Sequence, residues 1–355
     1  MSNEQLFQDA LNLLQQLIAT PSLSREEQGT AALLADFLKE RNIPFQQHLN
    51  NVWAINQHFD ADKPTILLNS HHDTVKPNPQ YIRDPFAPTI EDGKLYGLGS
   101  NDAGGCLVSL LNTFVHFYHR DDLHYNIVFA GTAEEEISGK NGIECILDQL
   151  PKIDLAIVGE PTKTDLAIAE KGLMVLDCTV TGKVGHAARE EGENALYKAL
   201  PDLEWFKNYQ FPKVSETLGP VKMSVTVINT SNKAHNVVPA DCTFVVDVRV
   251  PDQYSLEEVL DIIRSHVACE VKPRSMRMRS SSIPVDHPIV QAGLKLGKQT
   301  YGSPTTSDQA LIPVTSVKIG PGDSARSHSA DEFIYVEEIR QGIDTYIQLL
   351  EMINI

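Results

Sequence analysis

Apolar residues recur at helical spacing over residues 4–19 and again over 25–41, which predicts two amphipathic helices at the start of the chain. Ser24 precedes the second, with Glu27 three residues on, the pattern of a capping box. The spacing then changes. NVWAIN, TILLNS, NIVFAGTA and DLAIVGE are short apolar runs, each expected to be a strand. Runs with so few polar interruptions suit a sheet covered on both faces. Helical segments are predicted between them over 103–119 and 140–149, and strands alternating with helices make an α/β domain.

From about residue 172 the texture differs. GLMVLDCTVTG, KMSVTVINT and CTFVVDVRV alternate with period two, as half-buried strands do. ENALYKALPDLEWFKNY and SLEEVLDIIRSHVA between them read as helices, so this stretch is expected to form an α+β layer of ferredoxin-like type. Past residue 282 the first texture returns. IVQAGLKLGKQTYG reads as a helix, SVKIG as a strand and VEEIRQGIDTYIQLLEMI as a last helix. The expected organisation is a mixed sheet flanked by helices, built from residues 1–171 and 283–355, with an α+β domain inserted at 172–282. A chain of 355 residues is also long for one core.

Composition narrows the function. The net charge of −17 lacks the basic footprint that nucleic acid requires. No apolar run reaches the roughly 18–20 residues needed to span a bilayer. The N-terminal residues have neither a basic start nor a small-residue cleavage site. Five scattered cysteines without a CxxC pair suit free thiols in a reducing cytosol. The expectation is a cytoplasmic protein with no nucleic-acid or membrane partner.

Histidines and acids gather just after predicted strands, where open α/β sheets place their ligands. His71 and Asp73 follow TILLNS: either a polar loop, or a metal-binding imidazole oriented through its other nitrogen by a carboxylate. Asp102 lies in the glycine-rich segment Gly97–Gly105, ahead of a predicted helix, and fits an N-cap or a carboxylate shared by two cations. Glu134, Glu135 and Glu136 follow NIVFAGT; three adjacent acids either sit in solvent or face cations. Glu160 follows DLAIVGE, as a turn residue or a ligand, and His328 follows SVKIG and a loop, as a surface residue or a ligand. Mixed histidine and carboxylate donors suit zinc, cobalt or manganese better than calcium. No P-loop or dinucleotide fingerprint is present.

Taken in order, these five motifs resemble the dinuclear zinc metallopeptidase family of acetylornithine deacetylase, succinyl-diaminopimelate desuccinylase, aminoacylase and carboxypeptidase G. The resemblance covers nearly the whole chain. It implies two Zn²⁺ ions, replaceable by Co²⁺, with His71 and Glu160 on the first, Glu136 and His328 on the second, and Asp102 bridging. It further implies that Asp73 orients His71 and that Glu135 is the general base. The inserted domain would be a lid that mediates homodimerisation. His186, in Val184–Ala188, would support the oxyanion, while Lys171, Asn236 and Arg249 would contact the substrate.

The branch it looks most like is acetylornithine deacetylase. The implied reaction is therefore removal of an acetyl group from the α-amine of N-acetylornithine, giving ornithine in arginine biosynthesis. Deacylases of N-succinylornithine or N-acetyllysine, succinyl-diaminopimelate desuccinylase, and dipeptidases or carboxypeptidases of the same family are the alternatives. The chain departs from the family pattern after Asp102, where Ala-Gly-Gly replaces Met-Lys-Gly. It departs again at Glu134, where Asp is usual, and at Thr306-Ser307-Asp308, a loose match to Thr-Ser-Asp-Gly.

Overall fold

The computed structural model describes residues 2–353. It divides into two compact units, Met1–Ile168 with Ser282–Tyr301 and Ser307–Ile355, and Ala169–Ser281 with Gly302–Thr306. Among the described residues, no helix is long and apolar enough to cross a membrane.

The first unit is built on a mixed sheet. Six of its strands run in the order Phe45–His48, Asn51–Ile55, Asn126–Thr132, Thr65–His71, Leu155–Val158, Ser316–Lys318. Thr65–His71 is parallel to both of its neighbours, and Ser316–Lys318 is parallel to Leu155–Val158. Asn51–Ile55 is antiparallel to Asn126–Thr132. The unbroken apolar runs follow from two cores. Ile66, Leu68, Ile127 and Phe129 enter one core, which holds the helices Asn3–Ala19, Gly105–Phe117 and Val336–Met352. Leu67, Val128 and Ala130 point the other way, into a smaller core with Trp53, Ile143 and Ile146. Successive side chains of a strand face opposite sides, so both parities must be apolar. The parallel strands consequently end on one edge of the sheet, and His71, Glu135, Glu136 and Glu160 lie at or just past those ends.

The second unit is a four-stranded antiparallel sheet in the order Lys222–Asn229, Asp241–Val250, Gly172–Thr181, Glu270–Pro273. Helices Ala195–Asn208 and Leu256–His266 complete a βαββαβ sequence, which is the ferredoxin-like arrangement. Met174, Leu176 and Cys178 alternate with half-exposed neighbours and pack with Phe206, Phe244 and Ile263. Ser255 and Glu258 close a capping box at the second helix.

Several expectations fail. Residues 140–149 form two short 3₁₀ turns, Ile143–Cys145 and Leu147–Gln149. Ile143, Ile146 and Leu150 are buried at helix-like spacing, and each fills the smaller core without a continuous helix. The capping box at Ser24 does not form. The helix begins at Gln28, and Ser24 Oγ donates to Asp73 Oδ2 at 2.7 Å. The helix expected from residue 289 ends at Lys295, just before Gly297 takes a left-handed φ of 78°. Short strands Thr89–Glu91, Lys94–Tyr96 and Phe333–Tyr335 form a separate three-stranded sheet that periodicity did not reveal, since three residues carry no period.

Candidate metal centre

His71 ends its strand almost fully buried. Its Nδ1 lies 3.0 Å from the Asp73 carbonyl oxygen and 3.4 Å from Asp73 Oδ1, which places the ring proton on that nitrogen. In the neutral ring Nε2 then presents a lone pair. It faces Asp102 Oδ1 at 3.4 Å, Glu160 Oε1 at 3.8 Å and Glu135 Oε2 at 3.9 Å. It has no hydrogen-bond partner among the described residues. Asp102 turns its second oxygen, Oδ2, toward His328 Nε2 at 3.5 Å, and His328 Nε2 lies 3.0 Å from Glu136 Oε2. The Asp102 carboxylate thus stands between two imidazoles.

A buried lone pair among carboxylate oxygens is repulsive unless something positive lies between them. The donor set passes that test for divalent ions. His71, Asp102 and Glu136, and likewise His71, Glu135 and Glu160, offer atoms all within 4.8 Å of one another. Imidazole with carboxylates is a zinc-type set.

The electrostatics point the same way. Burial pushes Glu160 up to about 8 and raises Glu136, and it raises Glu135 well above the carboxylate range. Burial opposes charge on His71, but the acids around it, Glu135 foremost, hold its pKa well above that of free imidazole. The hydrogen bond to Glu136 carries His328 up to about 9. Burial also raises Asp73, yet the His71 contact leaves it below its ordinary value.

The surrounding contacts fix the backbone that carries these side chains. Asp73 accepts the Glu135 N–H at 3.0 Å on Oδ1 and the Glu136 N–H at 3.3 Å on Oδ2. It therefore holds the acidic turn as well as facing the imidazole. His72 is a core residue. Thr30 Oγ1 lies 2.8 Å from its Nδ1 and the Asn50 carbonyl 2.8 Å from its Nε2, and burial lowers its pKa to about 4. Asp102 does not cap the following helix, whose N-cap is Gly104 with no side-chain bond; the backbone of Asp102 is extended, at φ −115° and ψ 98°, and the Asp102–Ala103 peptide is cis. Gly97, at φ 148°, lets that loop pass Ile18, whose Cγ2 would be 2.3 Å from an added Cβ.

Two buried acids here had no role in the sequence analysis. Asp308 accepts from Thr132 Oγ1 at 2.7 Å, and burial raises it to about 6. Glu332 accepts the N–H groups of Asn101 and Asp102. Their adjacency to Thr306 and to His328 was the available signal.

The remaining candidates lie in the second unit, in two groups. His186 is exposed on a short ribbon, Gly185–His186 against Val237–Val238. Its Nδ1 accepts the Ala188 N–H at 3.1 Å, which leaves the proton on Nε2 in the neutral ring. Asn236 is exposed beside it, its carbonyl accepting the Ala187 N–H at 3.0 Å. Arg249 forms a bidentate pair with Asp247 at 2.8 and 3.0 Å and donates to Thr306 Oγ1 at 3.2 Å. Thr306 Oγ1 in turn donates to the Lys171 carbonyl at 2.9 Å, and Lys171 Nζ donates to the Pro220 carbonyl at 2.8 Å.

Cation uptake should offset a pH-dependent instability. Carboxyls raised in the fold stabilise the metal-free protein fully below their unfolded values. That stabilisation is lost as pH climbs through the folded values, for Glu160 from 4.5 to about 8. His328 acts in the same direction, from 6.5 to about 9. Thermal unfolding of the metal-free chain should thus shift downward across this window, and Zn²⁺ or Co²⁺ should restore the midpoint. A melting profile indifferent to added metal at every pH would sink the assignment.

Comparison with known proteins agrees with this geometry. A profile of Peptidase family M20/M25/M40 matches residues 67–352. The chain is 25% identical over 379 residues to a succinyl-diaminopimelate desuccinylase of Coxiella burnetii, covering 98% of this chain and 100% of that one. It is 29% identical over 274 residues to succinyl-diaminopimelate desuccinylase 2 of a Ruegeria species, covering 73% and 69%. In fold it is similar to aminopeptidase PepT of Bacillus cereus, with a TM-score of 0.78, 16% identity and 98% of each chain covered. It is also similar to a dinuclear metal-binding peptidase of Bacillus subtilis, with a TM-score of 0.74, 17% identity and 99% and 100% covered. With the profile spanning most of its length, the chain belongs to Peptidase family M20/M25/M40 and is a hydrolase of that metallopeptidase family.

Proposed function

We propose that this hydrolase removes an acyl group from the α-amine of a small amino acid, with N-acetylornithine as the substrate, using two zinc ions. The observation that carries the reading is the partnerless Nε2 of His71 among three carboxylates at the sheet edge. His71 and Glu160 would hold one ion, Glu136 and His328 the other, and Asp102 both, with Co²⁺ able to substitute. When bound, such ions polarise an acyl carbonyl and bring the pKa of a water close to neutrality.

The chain's own groups would do the rest. Glu135 has its N–H held by Asp73 and a carboxyl whose pKa burial raises, a good state for accepting a water proton and passing it to the leaving amine. His186, with its proton on Nε2, would donate to the oxyanion. Arg249 already gives two donors to Asp247, and Lys171 gives its ammonium to Pro220. The Pro220 carbonyl is neutral, so Lys171 keeps its charge and would offer it to a substrate carboxylate. Desuccinylation of succinyl-diaminopimelate, a substrate rich in carboxylates, is the second reading, favoured by the names of the relatives.

The second unit would serve as a lid and as the interface of a homodimer. Strand Lys222–Asn229 is a sheet edge with Val227 and Ile228 more than half exposed. The adjacent helix Ala195–Asn208 exposes Tyr197 and Leu200. An apolar open edge of this kind is a pairing site. The free cysteines fit a cytosolic setting.

Three outcomes test these points. Glu135→Gln should lower kcat by about 10²–10⁴-fold with Co²⁺ uptake unchanged; loss of an ion instead would make Glu135 a ligand. In a panel read by free amine, N-acetylornithine should exceed succinyl-diaminopimelate in kcat/KM by at least about tenfold. The reverse order assigns the second reading. Light scattering should give a dimer of the 39.3 kDa chain, and Ile228→Lys a monomer. A wild type that is monomeric at working concentrations discards the dimer.

A further inference from the structure

His328 and Asp102 come from segments far apart in sequence, and their spacing depends on how those segments are tied. Residues 97–104 form a loop in which Asp102 and Ala103 leave helical geometry, and the N–H groups of Asn101 and Asp102 find no acceptor within it. Glu332 supplies the acceptor. Its Oε1 receives the Asn101 N–H at 2.8 Å and the Asp102 N–H at 2.9 Å. Its carbonyl accepts the Gly97 N–H at 3.0 Å. The side chain is 1% exposed.

Glu332 is not in either group of residues able to hold an ion, because its carboxyl points at backbone rather than at His71. The other end of the His328 segment is tied to the same loop. The Asn101 amide donates to the Asp323 carbonyl at 3.0 Å and to Ser327 Oγ at 3.3 Å, and its oxygen accepts the Asp323 N–H at 3.0 Å. Asp331 Oδ1 accepts the N–H groups of Ile82 and Arg83 at 3.0 and 2.9 Å. His328 and Asp331 both hold left-handed φ angles, 58° and 51°, which a loop this short keeps only if its ends are fixed.

We propose that Glu332 is a positioning residue that locks the backbone of Asp102 to the His328 segment and so sets the affinity for the second metal ion. This rests on the two-ion reading above. Asp102 would serve both ions, but His71 and Glu160 are carried by other strands, so the first ion should lose much less than the second, whose His328 ligand sits on the segment that Glu332 ties down.

The test uses the full chain, stripped with a chelator and titrated with Co²⁺ by visible absorbance and calorimetry. Wild type should take two equivalents. Glu332→Ala should keep the first within about threefold and weaken the second about tenfold or more. Glu332→Gln keeps an oxygen for both N–H groups, and should bind both ions like wild type. Glu332→Asp keeps the charge but withdraws the acceptor by one methylene; it should behave like the alanine variant and carries the test if that variant does not fold. Two wild-type equivalents in the Ala and Asp variants, equal weakening of both ions, or loss of the second ion in the Gln variant overturns the proposal. A wild type that takes fewer than two equivalents overturns the two-ion reading and this one with it.

Discussion

The first unit is organised around a concentration of like charge. Asp102, Glu135 and Glu160 converge on one imidazole nitrogen within 3.9 Å, and Glu136 stands on the far side of Asp102 beside His328. Packing of this kind is unfavourable in itself, since each buried carboxylate has given up water. The fold permits it because parallel strands deliver their ends to one edge. The two cores that grip the strands on both faces fix those ends in place.

The acids around the centre sort into two kinds. Those outside the ring are supplied with donors: Asp73 by two backbone N–H groups and Ser24, Glu332 by the loop at 101–102, Asp308 by Thr132. Glu27 and Glu134 follow suit, taking the amides of Asn50 and Asn141. Hydrogen bonds to a carboxylate stabilise its charge, which offsets part of the burial cost that still raises Asp308 to about 6 and Glu332 to about 8. The inner acids face imidazoles and one another, and burial raises Glu135, Glu136 and Glu160. The same residue type thus does two jobs, and what separates Asp73 and Glu332 from Glu135, Glu136 and Glu160 is that backbone N–H groups point at the first pair.

That distinction explains what the sequence disclosed. Strand parity was legible because both cores require apolar residues at every position of 66–68 and 127–130, and the strand ends then located His71, Glu135 and Glu160. The alternation of Gly172–Thr181 likewise announced a sheet with one packed face. Local spacing misled where tertiary contacts took over. Ser24 and Glu27 have the form of a helix cap, yet Ser24 is drawn to Asp73 and Glu27 to Asn50 and Glu134. Ile143, Ile146 and Leu150 have helical spacing, yet they are anchored one by one to the smaller core. Glu332 could not be placed because its partners, Asn101 and Asp102, lie some 230 residues away, and no periodicity spans such a gap.

Backbone conformation shows where the tension in this arrangement is held. Glu134, Ser138 and His328 are non-glycine residues in the left-handed region, at φ 54°, 48° and 58°; the first two flank Glu135 and Glu136, and the third faces Glu136 and Asp102. Such conformations persist only where neighbouring contacts outweigh their cost. At Glu134 those contacts can be named: the Gly139 N–H on its carbonyl, the Asn141 amide on its carboxylate, and Glu27 on its own N–H. A glycine at 134 would relax the backbone but lose the carboxylate that Asn141 binds. The larger residue is kept because the turn that aims Glu135 and Glu136 needs both the bend and the anchor, and one side chain supplies the anchor that makes the bend tenable.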